Sequence, residues 1–385
     1  MIVAVGPARA SVAPPDGHAL TPLGISSHAS RDCRATVVEL LRLCLGQPLR
    51  DPATVDWDDL FGMCVSERCA ALAWSRGGEA IRDSAPSRII ATWRALAVAS
   101  DSHGRAQLKA LVEVVDTLRG CGARPVILKG LPLAWRLYGD AGVRTSVDID
   151  IFLPVADRNA AERVLVATSW KIVEGVRPWT QTFSRTMAGE RFYLEVHSSL
   201  LDLNLHHLDA PGPRAREMMI GSVHLPAHWD AMLPSYLAAH AAKHMPASLL
   251  YDLDFHALWG SLSAAERSAA WEQAECVGLA RYLAWMVERG RALVRGAGGD
   301  RSALTVLGVD ARGRTTAHAL FRDLALAPSL VAAGQAVAAW VWPPHLRDSP
   351  GLYARRCLLR LRGPWVRHLR RHQRYGAVVP GERSS

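Results

Sequence analysis

The segment from Val147 to Leu153 constrains the fold more than any other part of the sequence. Its apolar residues alternate with the others at a period of two, which is typical of a β-strand with one buried face. We therefore predict a strand here, with Asp148 and Asp150 on the face opposite the buried one. The residues predicted for the buried face are Val147, Ile149, Ile151 and Leu153.

Two carboxylates on one face of this strand indicate a metal site. Because Asp148 and Asp150 are two positions apart, their Cβ atoms are separated by about two residue rises, roughly 6.5–7 Å. Side chains at that spacing can bridge a pair of Mg²⁺ ions about 3.5–4 Å apart, which suits the chemistry of phosphate esters. Aspartates at this spacing also occur on ordinary exposed strands, so the spacing alone leaves both interpretations open.

Later residues supply a third candidate carboxylate. Two further strands are predicted, near residues 180–186 and 191–197, and in the second of them Glu195 and His197 share one face. The opposite face carries Phe192, Leu194 and Val196. Glu195 could complete the acidic cluster. His197 could orient a metal ligand, accept a proton or serve only in packing.

Helical periodicity surrounds this α/β unit. Apolar residues spaced three and four apart predict helices over 37–44, 60–74 and 89–118, and the same period returns from about residue 233. A short apolar run at 125–129, followed by Gly130 and then Leu131-Pro132, predicts a strand, a turn and a helix in that order. A further helix is predicted over 157–168.

These patterns predict five regions in an α+β chain. They are a loose N-terminal arm over 1–30, a helical segment over 31–120, an α/β core over 121–225, a C-terminal helical domain over 226–345 and an Arg-rich tail over 346–385.

The positive charge of the chain is concentrated in the tail. The net charge is +9, and residues 351–385 contain nine arginines against one glutamate. The rest of the chain is therefore almost neutral, and the basic pI does not by itself indicate a nucleic-acid-binding body. Leucines and a tryptophan lie between the arginines, so the tail can form a helix that contacts a polyanion, or one that docks its apolar strip on the protein itself.

Composition favours a soluble protein of the cytoplasm. A hydrophobic content of 49% excludes a disordered chain, and seven scattered cysteines with no C-x-x-C pair argue against a disulfide framework and a structural zinc site. The N-terminus does not resemble a signal peptide. The uncharged stretch 324–342 contains Pro328 and Gly334, so we interpret it as a buried Ala-rich helix rather than a transmembrane span.

Several motifs together resemble a known family. The sequence contains LKG ending at Gly130, YGDAGVR ending at Arg144, VDIDIFL from 147, LEVHSSL from 194 and HAAKH over 240–244. In this order, over roughly residues 90–300, they resemble the uncharacterised nucleotidyltransferase family of the DNA polymerase β superfamily. The resemblance implies a mixed-sheet nucleotidyltransferase core flanked by N- and C-terminal helical segments.

The resemblance also implies an activity. It implies that the chain transfers a nucleoside monophosphate from a nucleoside triphosphate to an acceptor hydroxyl. The reaction would use two Mg²⁺ ions and would belong to a biosynthetic or peptide-modification pathway. Asp148 and Asp150 would bind the metals and Glu195 would be the third metal-binding carboxylate. The residues expected near the nucleotide are Lys129, Gly130, Arg144 and Lys243. The acceptor could be a small molecule, a peptide, a protein or RNA.

Some features allow other interpretations. Arg144 would share the face of Asp148 if the strand began early enough, and would then bind triphosphate or offset the carboxylate charges. His240 and His244 have a zinc-type spacing, but no Glu follows His240 as in H-E-x-x-H. Asp254 could pair with a histidine or cap a helix. The alternative function is a non-catalytic adaptor of the same fold that binds RNA, anionic lipid or a partner protein through its tail.

Overall fold

The computed structural model describes residues 33–144, 146–173, 180–200, 212–243 and 248–307. The predicted N-terminal arm, the uncharged stretch 324–342 and the Arg-rich tail lie outside these ranges. Within the described ranges, no helix combines the length and the apolar character needed to cross a membrane.

Helices form the first part of the described chain, as the periodicity predicts, although a turn at 67–69 divides the helix predicted over 60–74. They are α1 Cys33–Cys44, α2 Trp57–Ser66, α3 Ala70–Ser84 and α4 Ser87–Gly120. Trp93 of α4 is buried in their core and donates its indole N–H to the carbonyl of Ala70 at 2.8 Å. Leu249, Leu293 and Leu304 from the C-terminal part of the chain belong to the same core. The two helical segments therefore share one hydrophobic core.

A mixed sheet of seven strands lies in the described residues. The strands are β1 Val126–Ile127, β2 Asp148–Phe152, β3 Lys171–Ile172, β4 Thr180–Met187, β5 Glu190–His197, β6 Ala215–Ile220 and β7 Val223–His228. Their order is β3-β4-β5-β2-β1-β7-β6. The β2/β5 and β1/β7 pairs are parallel, and the other neighbouring pairs are antiparallel. A mixed sheet with flanking helices confirms the predicted α+β fold.

The turn after β1 has the predicted order of strand, turn and helix. Gly130 adopts a φ of 77°, and the chain then forms α5 Leu131–Leu133, which continues as a π-helical turn over Ala134–Tyr138. A Cβ at Gly130 would lie 3.1 Å from the hydroxyl oxygen of Ser146. Glycine therefore satisfies two needs here, a left-handed backbone and a close approach to the segment that enters β2.

One face of the sheet is apolar, as the alternation predicts. Ile149 of β2 and Leu194 of β5 are buried in a core that also contains residues of α4 and of α6 Arg158–Ala167. Val147, which was predicted for this face, is 62% exposed. The prediction was wrong at this one position because the strand begins at Asp148.

The sequence analysis did not predict the hairpin of β6 and β7. The two strands are joined by the two-residue turn Gly221-Ser222, and β7 pairs in parallel with β1, where Ala227 lies opposite Ile127. β7 ends at His228, past the predicted end of the core at residue 225.

Helices follow the sheet, in agreement with the period that returns near residue 233. They are α7 Leu233–Lys243, α8 Leu249–Ser261, α9 Ala264–Cys276, α10 Ala280–Ala297 and α11 Arg301–Val306. A capping box starts α9: the Ser263 hydroxyl accepts the Glu266 N–H, and the Glu266 carboxylate accepts the Ser263 N–H. Residues of α7, α8, α9 and α10 form a core with Leu128 and Leu133.

The loop before β2 packs closely against α4. A methyl group at Gly142 would lie 2.4 Å from the Cα atom of Asp101 in α4. Further along α4, the buried Gln107 donates its side-chain amide to the carbonyls of Ser146 at 3.4 Å and Asp148 at 3.3 Å. The long helix therefore positions the start of β2.

We expect Gly142→Ala to lower the free energy of unfolding by about 1–3 kcal/mol, because the added methyl group must displace the α4 backbone. Urea denaturation measures this loss. Gly120→Ala is the matched control, since no atom lies within 4 Å of a Cβ built there. Equal effects of the two substitutions would contradict the close packing of this loop.

Candidate active site

Two neighbouring parallel strands bring the predicted carboxylates together. In the register of β2 and β5, Asp150 lies opposite Glu195 and Asp148 lies opposite Tyr193. The three acidic side chains are therefore on adjacent strands, at the end of the sheet where β1 finishes. Sequence alternation predicts the face of each residue, and the pairing of β2 with β5 places Glu195 next to Asp150.

Asp150 is at the centre of the cluster. Only 1% of this residue is exposed. One of its carboxylate oxygens binds the ammonium group of Lys129, and the other lies 3.1 Å from Nε2 of His197. An ionised carboxylate at such a depth needs partners of this kind, because burial without them is strongly unfavourable.

Asp150, Glu195 and His197 form a group that can hold a metal ion. One ligand atom from each lies within 4.8 Å of the others, and the His197 Nε2 to Glu195 Oε2 distance is 3.5 Å. His197 therefore shares the working face of Glu195, as the alternation predicts. Sequence reasoning offered Asp148 for the metal pair and left the role of His197 open.

Asp148 lies at the edge of this group. Its side chain is 31% exposed and its Oδ1 is 3.8 Å from the ammonium nitrogen of Lys129. The greater exposure of Asp148 leaves its carboxylate accessible to a bound molecule, whereas Asp150 is enclosed by protein.

Charge interactions shift the pKa values of Asp148 and Asp150 in opposite directions. Burial alone would raise the pKa of Asp150, but Lys129 and His197 outweigh it and hold that pKa well below its usual range. The negative charge of Asp150, together with burial, raises the pKa of Asp148. The hydrogen bond from His197 lowers the pKa of Glu195. Burial favours neutral Lys129, but Asp150 and Asp148 outweigh it and raise the pKa of this lysine.

Arg144 does not extend along the strand face of Asp148, because β2 begins four residues later. The side chain is 5% exposed and donates from Nε to the Asp254 carboxylate of α8 at 2.6 Å. The other Asp254 oxygen accepts the Tyr138 hydroxyl at 2.9 Å. This buried group connects the loop before β2 to the C-terminal helices.

Lys243 is the last residue of α7, and its side chain lies outside the described residues. The same is true of residues 244–247, which include His244. His240 stacks edge-on against Tyr251 of α8, with ring centroids 5.5 Å apart.

Sequence reasoning missed the polar residues of α4 that support the site. His103 lies between the Glu190 carboxylate and the carbonyl of Ser146, which its Nε2 approaches at 3.0 Å. Together with Gln107 one turn later, it holds the segment entering β2. Two polar residues four positions apart, which share one face of α4, were the available signal.

Comparison with known proteins identifies the family. A family model described as an uncharacterised nucleotidyltransferase matches residues 53–292, which is more than half of the 385 residues. The chain belongs to this nucleotidyltransferase family. The match confirms the resemblance seen in the motifs, and it includes α2, α3 and α4 before the sheet.

Other comparisons add little to this family membership. The solution structure of the antibiotic-resistance factor ANT(2'')-Ia was one match. The alignment covers 55% of the present chain and 99% of the ANT(2'')-Ia chain, at 13% sequence identity and a TM-score of 0.30. A likeness of that size supports no argument about the site. No curated protein matches the chain.

We expect the two aspartates of the nucleotidyltransferase to differ in their effect on stability. Asp150→Asn removes the main counter-charge of buried Lys129 and should lower the free energy of unfolding by about 3–5 kcal/mol. Folding raises the pKa of Asp148, so its ionised form opposes folding at neutral pH, and Asp148→Asn should not lower stability. Thermal unfolding at pH 7 measures both. Equal losses of stability in the two variants would contradict the different roles of Asp148 and Asp150 in folding.

Proposed function

We propose that this nucleotidyltransferase transfers a nucleoside monophosphate from a nucleoside triphosphate to an acceptor hydroxyl. One observation carries the proposal: Asp150 and Glu195 lie in register on adjacent parallel strands, with Asp148 two residues earlier on the same strand. Three carboxylates arranged in this way suit reactions at a phosphate, in which catalysis is mainly positioning and neutralisation of charge.

The donor atoms fit a divalent cation. Carboxylate oxygens are the ligands that Mg²⁺ and Mn²⁺ prefer, and an imidazole nitrogen is compatible with Mn²⁺. The ammonium group of Lys129 lies against Asp150 and keeps that carboxylate ionised, which is the form that binds a cation. We assign Asp148, Asp150 and Glu195 to two Mg²⁺ ions, which would polarise the α-phosphate and stabilise the departing pyrophosphate.

The chain's own residues have distinct tasks in this reaction. The acceptor oxygen bonds to the α-phosphorus, the bond to the β-phosphate oxygen breaks, and pyrophosphate leaves. We assign to Glu195 the acceptance of the proton from the attacking hydroxyl. His197 fixes the orientation of Asp150 and Glu195 through its contacts of 3.1 and 3.5 Å. Lys129 and the backbone at Gly130 are assigned to the phosphates of the nucleotide.

One sequence assignment changes in this proposal, and another is kept. The Arg144 side chain is engaged with Asp254, so we assign it to the connection between the core and α8 rather than to phosphate. Lys243, the last residue of α7, remains proposed as a residue that binds a phosphate of the nucleotide. We also propose the cytoplasm as the place of the reaction.

The transferred group can be identified with labelled nucleotide. We expect label from the α-phosphate, and none from the γ-phosphate, to appear in product when an extract of the native host supplies the acceptor. The physical reason is that attack at the α-phosphorus releases the β- and γ-phosphates together. Label that enters product only from the γ-phosphate would establish kinase chemistry and refute the proposal.

We expect Asp148→Asn and Glu195→Gln each to reduce turnover by about 10²–10³-fold or more, because each removes a charge that the transition state requires. Steady-state rates measure the loss, and thermal unfolding shows that the variants remain folded. Glu162→Gln is the control, since this exposed residue belongs to α6 on the opposite face of the sheet. Normal turnover in either site variant would remove that carboxylate from the mechanism.

A further inference from the structure

A cavity of about 460 Å³ lies beside β6. Four consecutive residues of that strand, 216–219, line it together with Trp135 and Trp229. Successive side chains of a strand point to opposite faces, so a cavity that contacts all four must lie along the strand edge. Among the strands that the structure describes, β7 is the only neighbour of β6. The cavity therefore borders an open edge of the described sheet.

The hairpin geometry shows which backbone groups of β6 face outward. The turn that joins β6 to β7 has two residues, 221–222, and Ile220 lies opposite Val223 across it. The pair that flanks such a turn is hydrogen-bonded, and hydrogen-bonded pairs alternate with non-bonded pairs along an antiparallel ladder. The N–H and C=O groups of Glu217 and Met219 therefore point away from β7, on the outer edge of the sheet.

The side chains around the cavity suit an apolar group. Trp135, Met218 and Trp229 are half-buried, and Met219 is 57% exposed. Indole rings offer large flat contact areas, and thioether side chains adapt to groups of different shape. An apolar side chain of a bound molecule can therefore pack here.

The charges around the cavity do not favour a nucleic acid. Two arginines and one glutamate belong to its lining. Arg136 lies over the ring of Trp229, 5.8 Å from its centroid, and Glu217 adds a negative charge that Arg119 of α4 binds at 2.6 Å. A polyanion is bound by a cluster of cations, whereas a peptide main chain needs only hydrogen-bonding groups along an edge.

Short segments connect the cavity to the carboxylate end of the sheet. Ala227 of β7 lies opposite Ile127 of β1, so Trp229 follows β7 at the level at which Lys129 follows β1. Trp135 belongs to the π-helical turn that continues from Gly130 and α5. Such turns are rare and are frequent at functional sites. The cavity is therefore positioned by the same segments that carry the residues assigned to the phosphates.

We propose that the acceptor is a peptide, which binds as an extended strand along β6 and places an apolar side chain in the cavity. This inference rests on the proposed function and names the class of acceptor. Main-chain hydrogen bonds to Glu217 and Met219 hold the peptide, and the tryptophans and methionines select its side chain.

The sheet geometry also places the reacting hydroxyl. Neighbouring strands are about 4.8 Å apart, so a peptide outside β6 lies four spacings, roughly 19 Å, from β2. An extended chain covers that distance in about six residues. The docked segment and the hydroxyl that receives the nucleotide are therefore different parts of the same peptide.

The class of the acceptor can be tested in a heated extract of the native host. One portion is digested with proteinase K and another with ribonuclease, and both enzymes are then inactivated. The label comes from the α-phosphates of the four ribonucleoside triphosphates, with Mg²⁺ and the full-length protein. We expect labelled product in the untreated and ribonuclease-treated portions, and almost none after proteinase K.

Two variants test where the peptide binds. Met219→Pro removes the outward N–H, and edge strands tolerate proline. Met219→Glu keeps the backbone and introduces a charge at the cavity. Ile172→Pro is the matched control on the edge strand β3, because the N–H of Val173 binds the carbonyl of Thr182 and Ile172 therefore faces outward. Val166→Glu is the control for the charge, since Val166 is 49% exposed on α6.

We expect both Met219 variants to need about 10-fold more extract for half-maximal labelling, as for the loss of one or two hydrogen bonds or of an apolar contact. The two controls should match the wild type. Calorimetric affinity for the Mg²⁺ complexes of the triphosphates should be the same in all four variants, and thermal unfolding shows which of them are folded. If Met219→Pro does not fold, Met219→Glu decides the result.

The outcomes separate this inference from the proposed function. Labelling that survives proteinase K overturns the inference and leaves the proposed function in place, as does unchanged half-maximal labelling in a folded Met219 variant. A wild-type dimer that Met219→Pro converts to a monomer also overturns it, because the edge then pairs with a second copy of the chain. A wild-type protein that transfers no label from any α-phosphate refutes the proposed function, and this inference with it.

Discussion

The carboxylate of Asp150 is buried against the sheet, with 1% of the residue exposed. Neighbouring side chains neutralise its negative charge. The ammonium group of Lys129 comes from the end of β1, and the imidazole of His197 comes from β5. An ionised group at this depth would otherwise oppose folding by several kcal/mol, on the order of the whole stability of a domain. The strand order β5-β2-β1 is what brings these partners to it from both sides.

A second buried ion pair connects this centre to the helices. Arg144 precedes β2 and binds Asp254 of α8, while Glu67 of the first helical segment accepts the N–H of Leu249 at the start of α8. Since breaking a buried pair leaves an uncompensated charge, these contacts hold the start of α8 and the loop before β2 in one position. Contacts from both helical segments therefore help to position the strand that carries Asp148 and Asp150.

Much of the fold follows from local patterns. The alternation in 147–153 and 191–197 predicts β2 and β5, and the three-four spacing over 89–118 predicts α4. The hairpin of β6 and β7 escaped prediction for a physical reason. β6 is an edge strand with mostly exposed residues, and four consecutive residues of β7 are buried, so neither shows one dry and one wet face. Val147 was misplaced because alternation does not mark where a strand starts.

Sequence by itself determined which residue types share a face: Asp148 with Asp150, and Glu195 with His197. Only the tertiary structure decided which of them meet. Asp150 and His197 are 47 positions apart, and Arg144 and Asp254 are 110 apart. The periodicity of a strand is a local property of the backbone, whereas strand register and ion-pair partners depend on packing across the whole chain. For that reason the sequence left open whether Arg144 shares the strand face of Asp148, and the folded chain pairs it with Asp254 of α8.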